Sequence, residues 1–546
     1  MGISFNEIGT DIRKPGVYGE FNLAAARTGL PANANKLLII GQRLKEPSAW
    51  AATTAYILGA KVKPVTTNGH WYICVVAGTS AGTAPTWPTA SAGTVTDGTV
   101  TWMEFESISN LVAALTATTI YSAEDASQYA GAGSTAHLMA AAAFAVSPRI
   151  DCTLITADDD AAAVVASGTF VVTGTAAETG AVVLYIGNVR IPVAVTDTDT
   201  ASEIATAIGV AINAKKHLLP VTASVATGTV TIRAKNGGTC GNYIPCSAPV
   251  TVDGVAIAVT APASGLTDPD IGATSGLLEQ VHPGSYTHYC VQFVDAASLA
   301  DLKAHIDEIS GGIEMRPATV WLGFTDEVGD IAAVKALCGG GDTPTLNHWR
   351  TSLGYLPGTR SLHYELAAAY AAVAVGVTNP GAPLNDLVLT GIHAPNVVDR
   401  LSRTQIEDLL DNGVTPLHVI PGEQVAIVRS ISTYTRNAQG VLDATRLDIT
   451  TATTLDYVRL SCRTRVSLRF PRAKRTVRVK KLVRSELLDV LYQLEAEPME
   501  LVENVDTYKT DLVVEDNVQD DARIDAKIPA DIVRGAHVIA MRIDLL

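Results

Sequence analysis

Large side chains are scarce in this sequence: Phe, Trp and Tyr make up only 5% of its 546 residues, although 47% are hydrophobic. Such a chain builds its core from many small contacts and leaves room for further burial by association. Charge is sparse too, at 17%, with a formal net charge of −15. So much apolar content with so little charge excludes a disordered chain. The acidic balance argues against a surface that binds nucleic acid throughout, because it repels phosphate. The seven cysteines (Cys74, Cys152, Cys240, Cys246, Cys290, Cys338 and Cys462) are odd in number and scattered, with no C-x-x-C. They read as reduced thiols of a protein made in the cytoplasm. Cys240 and Cys246 form the only local pair, and no second ligand pair follows them to complete a zinc site. The longest apolar runs, 138–146 and 366–377, fall short of the roughly 18–20 residues of a membrane span and read as buried helices. The opening Met1-Gly2-Ile3-Ser4-Phe5-Asn6-Glu7 has no basic-then-apolar leader, and Asn6 stands where myristoylation needs Ser or Thr. The expectation is a soluble protein without a membrane anchor.

Catalytic patterns are equally thin. Gly78-Thr79-Ser80-Ala81-Gly82 has the G-x-S-x-G form, but the following Thr83-Ala84-Pro85-Thr86-Trp87-Pro88 cannot be the helix that a nucleophile elbow requires. There is no P-loop and no Gly-Lys pair. Gly131-Ala132-Gly133-Ser134-Thr135-Ala136 follows a polar run instead of a strand and reads as a helix–helix turn. Cys338-Gly339-Gly340-Gly341-Asp342 follows a helix, the wrong context for a phosphate loop. No H-E-x-x-H occurs, and Asp197-Thr198-Asp199 lacks the Gly and distant Glu of an EF-hand loop. The eleven histidines are scattered, His282 and His288 being the closest pair. The expectation is no enzyme, no catalytic residue, no metal and no cofactor.

At about 100–200 residues per domain, the length implies three to five domains. Residues 1–35 read as an N-terminal arm, with Pro15-Gly16 leading into the short extended run Val17-Tyr18. Lys36-Leu37-Leu38-Ile39-Ile40-Gly41 then reads as a buried strand stopped by Gly. Residues 49–106 hold four of the six tryptophans (Trp50, Trp71, Trp87 and Trp102) among Gly and Thr turns, and read as a small β insert. Helices are predicted over about 122–130 and 134–147, with a strand at 152–155. Residues 166–266 read as a second β-rich insert containing a helix from Ala201 to Ala214. Beyond it, strands near 289–294, 318–324 and 387–391 alternate with helices near 297–309, 330–337 and 362–377. Such alternation implies a mostly parallel sheet covered by helices. The fold class is therefore α/β multidomain, with a discontinuous core (36–48, 107–165 and 267–394) interrupted by two inserted β-rich domains. Residues 395–546 form a C-terminal α+β part, with a helix near 402–412, a hairpin across Pro421-Gly422, a long mixed segment, and a terminal strand in Val538 to Leu546.

Charge is concentrated late in the chain. Between Ser461 and Arg484 stand ten basic residues and no acidic ones, and the stretch from Ser485 to Asp525 is strongly acidic. Adjacent blocks of opposite sign suggest docking to a complementary surface, or pairing with each other inside one subunit.

Ile3-Ser4-Phe5-Asn6-Glu7-Ile8, Ile12-Arg13-Lys14-Pro15-Gly16-Val17-Tyr18-Gly19-Glu20-Phe21, and Leu30-Pro31 leading into Lys36 to Arg43 together resemble the N-terminus of tail sheath proteins from Mu-like contractile-tailed phages. Thr390-Gly391-Ile392, the segment from Ile427 to Arg436, Arg446-Leu447-Asp448-Ile449 and Thr454-Leu455-Asp456-Tyr457-Val458-Arg459 resemble the sheath carboxyl-terminal region. The second insert resembles a domain of Mu-like sheaths. The resemblance implies a structural subunit that stacks as hexameric rings around a tail tube and contracts to drive the tube through the host envelope. It would be assembled in the host cytoplasm and carried in the virion. Implied partners are other copies of the chain, the tail tube protein, and baseplate and tail terminator proteins, with no nucleic acid. Exchange of terminal strands between copies, which is β-augmentation, makes Pro15, Gly16, Val17, Tyr18, Val538, Ile539, Met541 and Ile543 the inter-subunit candidates. Arg472, Lys474, Arg475, Arg478, Lys480 and Lys481 are expected to face the tube or a neighbouring subunit. Trp50, Thr54, Tyr56, Gly59, Val62, Gly69, Tyr72, Cys74 and Trp102 resemble the spacing of a small chitin-binding-type module. That offers Trp71, Tyr72, Trp87 and Trp102 for stacking on sugar, and an alternative reading as a phage tail adhesin. The plainer reading makes these rings the core of a domain of about 55 residues, a size at which burial is marginal.

Overall fold

Leu37-Leu38-Ile39-Ile40 is apolar at every position, as a parallel strand covered on both faces must be. In the computed structural model, which describes Lys14 and residues 29–107, 111–274, 276–339 and 345–545, it is the buried centre of an eight-stranded sheet. In spatial order the strands are Gln424–Ile427, Thr415–Ile420, Thr351–Tyr355, Thr319–Phe324, His288–Val291, Leu37–Gln42, Cys152–Ala157 and Thr118–Ile120. The six inner strands run parallel, and the two outer ones pair antiparallel. Leu37 lies level with both His288 and Cys152.

Successive side chains on a strand point to opposite faces, and this alternation divides the core. Leu37, Ile39, Cys152, Leu154, Cys290 and Trp321 pack with helices Thr135–Val146 and His363–Gly376. Leu38, Ile40, Tyr289, Val291, Val320 and Leu322 pack with helices Ala296–Ile309 and Ile331–Cys338. The helices begin at side-chain caps: Ser134, Asp295 and Asp330 accept from the backbone N–H three residues on. At Gly323 a Cβ would lie 2.3 Å from the carbonyl oxygen of His363. Only glycine lets the His363–Gly376 helix approach the sheet this closely.

Between Leu37–Gln42 and Thr118–Ile120 the chain forms a separate antiparallel sheet in the order Lys61–Val62, His70–Val76, Val100–Ser107, Thr94–Asp97. Between Cys152–Ala157 and His288–Val291 it forms two more. One is Val221–Ala226, Thr229–Ala234, Ser167–Gly174, Val255–Ala263; the other is Val189–Val195, Gly180–Ile186, Cys246–Ser247. Helix Ala201–Ala214 packs with these sheets and starts at a capping box in which Thr200 and Glu203 satisfy each other's backbone N–H.

The chain divides into two compact units, one of residues 34–454 and 534–546, the other of residues 1–33 and 455–533. The smaller unit contains most of helix Ile449–Arg469 and all of Val477–Glu495, with Tyr457, Cys462, Leu487, Leu491 and Leu494 in its core. Leu30 packs against that core, and Pro31 accepts a hydrogen bond of 2.8 Å from Tyr457 Oη.

Two expected elements differ. Residues 387–391 are not a strand. Leu389 N–H donates to Val425 and Leu387 accepts from Ile427, but Asp386 and Gly391 both have positive φ and interrupt the pairing on either side. The mixed segment after 429 contains two long helices that the sequence did not mark, Ile449–Arg469 and Val477–Glu495.

Candidate functional site

An open parallel sheet binds ligands where the strand order reverses, in the crevice beyond the carboxyl ends of the strands. Here the reversal lies between Leu37–Gln42 and His288–Val291, and Gln42 and Gln292 stand at the carboxyl ends of these two strands. Gln42 Nε2 donates to Gly237 O at 2.7 Å and to Asp159 Oδ1 at 3.0 Å. The Gln292 amide bonds Gln42 Oε1 and the Thr135 hydroxyl. Asn236 Nδ2 donates to Arg43 O at 2.8 Å. Residues 236–240 of the second β-rich segment therefore fill the crevice with a satisfied, buried hydrogen-bond network.

The other sequence motifs are placed structurally as well. Ser80 is buried, donates to Ala51 O at 2.8 Å and accepts from Thr54 N at 2.9 Å, so it ties two loops together. Residues 131–134 are the turn between helices Ala123–Ala130 and Thr135–Val146, where Gly133 N–H donates to His137 Nδ1 at 3.0 Å. Gly340, Gly341 and Asp342 lie outside the described residues. All seven cysteines are free thiols; Cys240 sits 3.4 Å from Gln42 Oε1, and burial pushes its pKa upward. Among the described residues no group of three His, Cys, Asp or Glu is arranged to hold a metal ion, and no helix is long and apolar enough to cross a membrane.

The aromatic residues considered for sugar stacking are core residues, which corrects that expectation. Trp71, Tyr72 and Trp102 are buried, and Trp87 is half-buried with its ring 4.3 Å from Tyr72 and 6.1 Å from Trp102. Asp97 organises the cluster: one carboxylate oxygen accepts from the indoles of Trp50 at 2.8 Å and Trp102 at 2.9 Å, and the other from Ala81 N at 2.9 Å. A sheet this small covers little core without its rings, and here the ring faces are spent on one another.

The same segment is tied to the second one by buried charge. Glu104 pairs with Lys216 and lies 3.2 Å from His70 Nδ1; Glu106 lies 3.7 Å from Lys235 Nζ. Lys235 also donates to the carbonyls of Ala132 and Lys216, and Lys61 donates to the carbonyl of Lys235 at 2.8 Å. Both Lys61 and Lys235 lie over the Phe105 ring. Desolvation lowers the pKa of Lys235 to about 8, against the opposing pull of Glu106. No sequence motif signalled this cluster, because Glu104 and Glu106 lie more than 100 residues from their partners Lys216 and Lys235.

In the smaller unit, the basic block forms the end of Ile449–Arg469, the following elbow and the start of Val477–Glu495. Part of it pairs internally. Arg465 Nη1 reaches Glu486 at 3.1 Å and Asp489 at 2.7 Å; Arg475 lies 3.4 Å from Asp516 and 3.5 Å from Asp521; Lys480 lies 2.6 Å from Asp516. Arg472, Lys474, Arg478 and Lys481 are exposed and, among the described residues, have no ion-pair partner. Leu468, Val477 and Leu482 are exposed beside them in the sequence.

Of the terminal strand candidates, Pro15, Gly16, Val17 and Tyr18 lie outside the described residues. Val538, Ile539, Met541 and Ile543 are 79–94% exposed and form no strand among the described residues. A contiguous run of exposed apolar residues is unusual for a folded surface and marks an interaction segment.

The chain is similar to known proteins in sequence and in part of its structure. Residues 443–545 match the phage tail sheath C-terminal domain. The chain is 25% identical over 569 aligned residues to the Mu-like prophage FluMu tail sheath protein of Haemophilus influenzae, with the whole of both chains covered. Among solved structures, the sheath tail protein of Desulfitobacterium hafniense aligns at 14% identity over 74% of this chain and 87% of its own, with a TM-score of 0.40. That of Listeria innocua aligns at 12% identity over 73% and 84%, also with a TM-score of 0.40. The chain is thus a homologue, over its whole length, of a Mu-like prophage tail sheath protein, and its residues 443–545 match the phage tail sheath C-terminal domain.

Proposed function

We propose that this sheath subunit polymerises around a tail tube as a stack of hexameric rings, and that contraction of the stack drives the tube through the host envelope. Assembly takes place in the host cytoplasm, with the tail tube protein and with baseplate and tail terminator proteins at the ends of the stack. The two β-rich segments are insertions carried on the α/β core, and neighbouring copies are joined by exchanged terminal strands. The observation that carries this reading is the C-terminal run: Val538, Ile539, Met541, Ile543 and Leu545 are apolar and exposed, and the backbone there has no strand partner within the described chain. Such a segment gains backbone hydrogen bonds and burial together when a second copy supplies the sheet. The exposed elbow residues Arg472, Lys474, Arg478 and Lys481 face an acidic surface of the tube or of a neighbouring subunit.

Negative-stain microscopy of the purified chain tests the reading. The full chain should form tubes or rings, and a chain ending at His537 should remain folded and monomeric. Tubes of normal length from the shortened chain would remove strand exchange from the proposal, and a full chain that stays monomeric at high concentration would remove polymerisation.

A further inference from the structure

The exposed run begins abruptly. His537 is largely covered, its side chain 13% exposed, and Val538 beside it is 86% exposed. The covered side of this boundary is held by side chains of the larger unit. Asn385 Nδ2 lies 3.0 Å from His537 Nδ1, and His537 Nε2 lies 3.4 Å from Asp448 Oδ1. An amide nitrogen can only donate, so His537 Nδ1 accepts and the ring carries its proton on Nε2, which stands 3.4 Å from Asp448 Oδ1 as a charge neighbour without a hydrogen bond. Asp448 is itself fixed by Arg429, whose Nε and Nη2 reach Oδ1 at 3.1 and 2.7 Å. Two residues earlier, Gly535 lies so close to Pro383 that a Cβ would stand 2.5 Å from Pro383 Cγ. The groups facing the imidazole are thus Asn385, Asp448 and, through Asp448, Arg429. Burial and the Arg429 charge hold its pKa below the ordinary value against the pull of Asp448, which keeps the ring in the neutral form this tautomer describes.

We infer that Asn385, His537 and Asp448, with Gly535 seated on Pro383, form a root clamp that ties the projecting C-terminal strand to the α/β body. The inference rests on the proposal that a second copy receives residues 538–546. It adds where the pull is taken up. The strand follows residues 455–533 in sequence, but its root belongs with residues 34–454. Movement of the α/β body is therefore transmitted to the strand at His537, and the neighbouring copy is drawn with it. Asn385, Asp448 and His537 act as positioning residues: none joins the donated strand, but they fix its point of departure.

The test uses the full chain carrying a nitroxide at Met541→Cys in a Cys246→Ser background, Cys246 being the one native thiol that is not buried. In the unassembled protein, His537→Ala and Asn385→Leu should each raise the mobile fraction of the label roughly fivefold, the change in equilibrium that one net hydrogen bond confers. Circular dichroism verifies that each variant is folded. The milder Asp448→Asn, which keeps the shape of the site and removes its charge, should give a smaller rise in the same direction. His537→Gln, which supplies both a donor and an acceptor, should return the label toward its original mobility. Unchanged mobility in the folded variants overturns the clamp. Failure of the underlying reading is distinguishable: normal tubes from the chain ending at His537 would remove the donated strand and leave the mobility result standing.

Discussion

Asp97 shows how much of a small sheet's packing can hang on one carboxylate. It is almost fully buried and accepts three hydrogen bonds, two of them from the indole nitrogens of Trp50 and Trp102. Replacing it with Leu leaves the Trp50 and Trp102 N–H groups and the Ala81 amide buried without acceptors. Each such group costs about 1–3 kcal/mol, so a loss of about 3 kcal/mol or more is expected for the 49–106 segment. Asp97→Asn keeps one acceptor oxygen and should lose less. Urea unfolding followed by tryptophan fluorescence reads both, and equal midpoints for Asp97→Leu and the parent chain would refute the role assigned to Asp97. The tryptophans were legible in the sequence as an island, because local density is visible without a fold. Their direction was not: a ring that stacks on sugar and a ring that fills a core have the same spacing, and only the partners of Trp71, Tyr72 and Trp102 distinguish them.

Among the elements, those with local signals could be read from sequence. Ala201–Ala214 is capped at Thr200, and the both-faces-buried strand Leu37–Gln42 opens on the continuous apolar run Leu37-Leu38-Ile39-Ile40. Elements defined by distant partners could not. The two long helices of the smaller unit were hidden because their basic residues find their acids later in the chain, at Glu486, Asp489, Asp516 and Asp521. The terminal run was expected to be a strand, and among the described residues it has no strand partner. The elbow between the helices separates the two readings of the basic block. Lys474→Glu with Arg478→Glu changes only exposed residues without ion-pair partners, and such changes leave stability within about 0.5 kcal/mol. Tube formation should nevertheless fall, and the parent's own assembly should weaken as salt screens the contact. Arg475→Glu is the contrasting case, because it repels Asp516 and Asp521 within the same unit and should lower the melting temperature as well. Normal assembly by the Lys474/Arg478 double variant would show that the elbow faces solvent in the sheath.

Across the whole molecule, the central sheet joins strands that begin at residues 37, 152, 288, 319, 351 and 415, an order no local pattern specifies. The seams where its layers meet bury four neutral histidines. His137 accepts from Gly133 N, His288 Nδ1 accepts from Trp321 Nε1 at 2.9 Å, His305 lies against Tyr289, and His363 Nε2 lies 3.2 Å from Gln292 O. Burial lowers the pKa to about 3 for His288 and about 4 for the other three. Because these folded-state values lie below the unfolded one, the unfolded chain binds more protons as pH falls below about 6.5, and stability is lost on acidification. Glu365, raised to about 7 by burial, has the opposite sign between about 4.5 and 7, so the total slope is a difference. A single substitution isolates one term. His288→Gln removes one titrating group, and between pH 7.5 and pH 5 the parent should lose about 2 kcal/mol more unfolding free energy than the variant, at about 1.4 kcal/mol per pH unit for one proton. Urea titrations of both proteins at the two pH values measure it. A parent-minus-variant difference that stays constant would mean that His288 takes up its proton in the folded protein as readily as in the unfolded chain, and the seam between sheet and helix would have to be redrawn to admit a charge at pH 5.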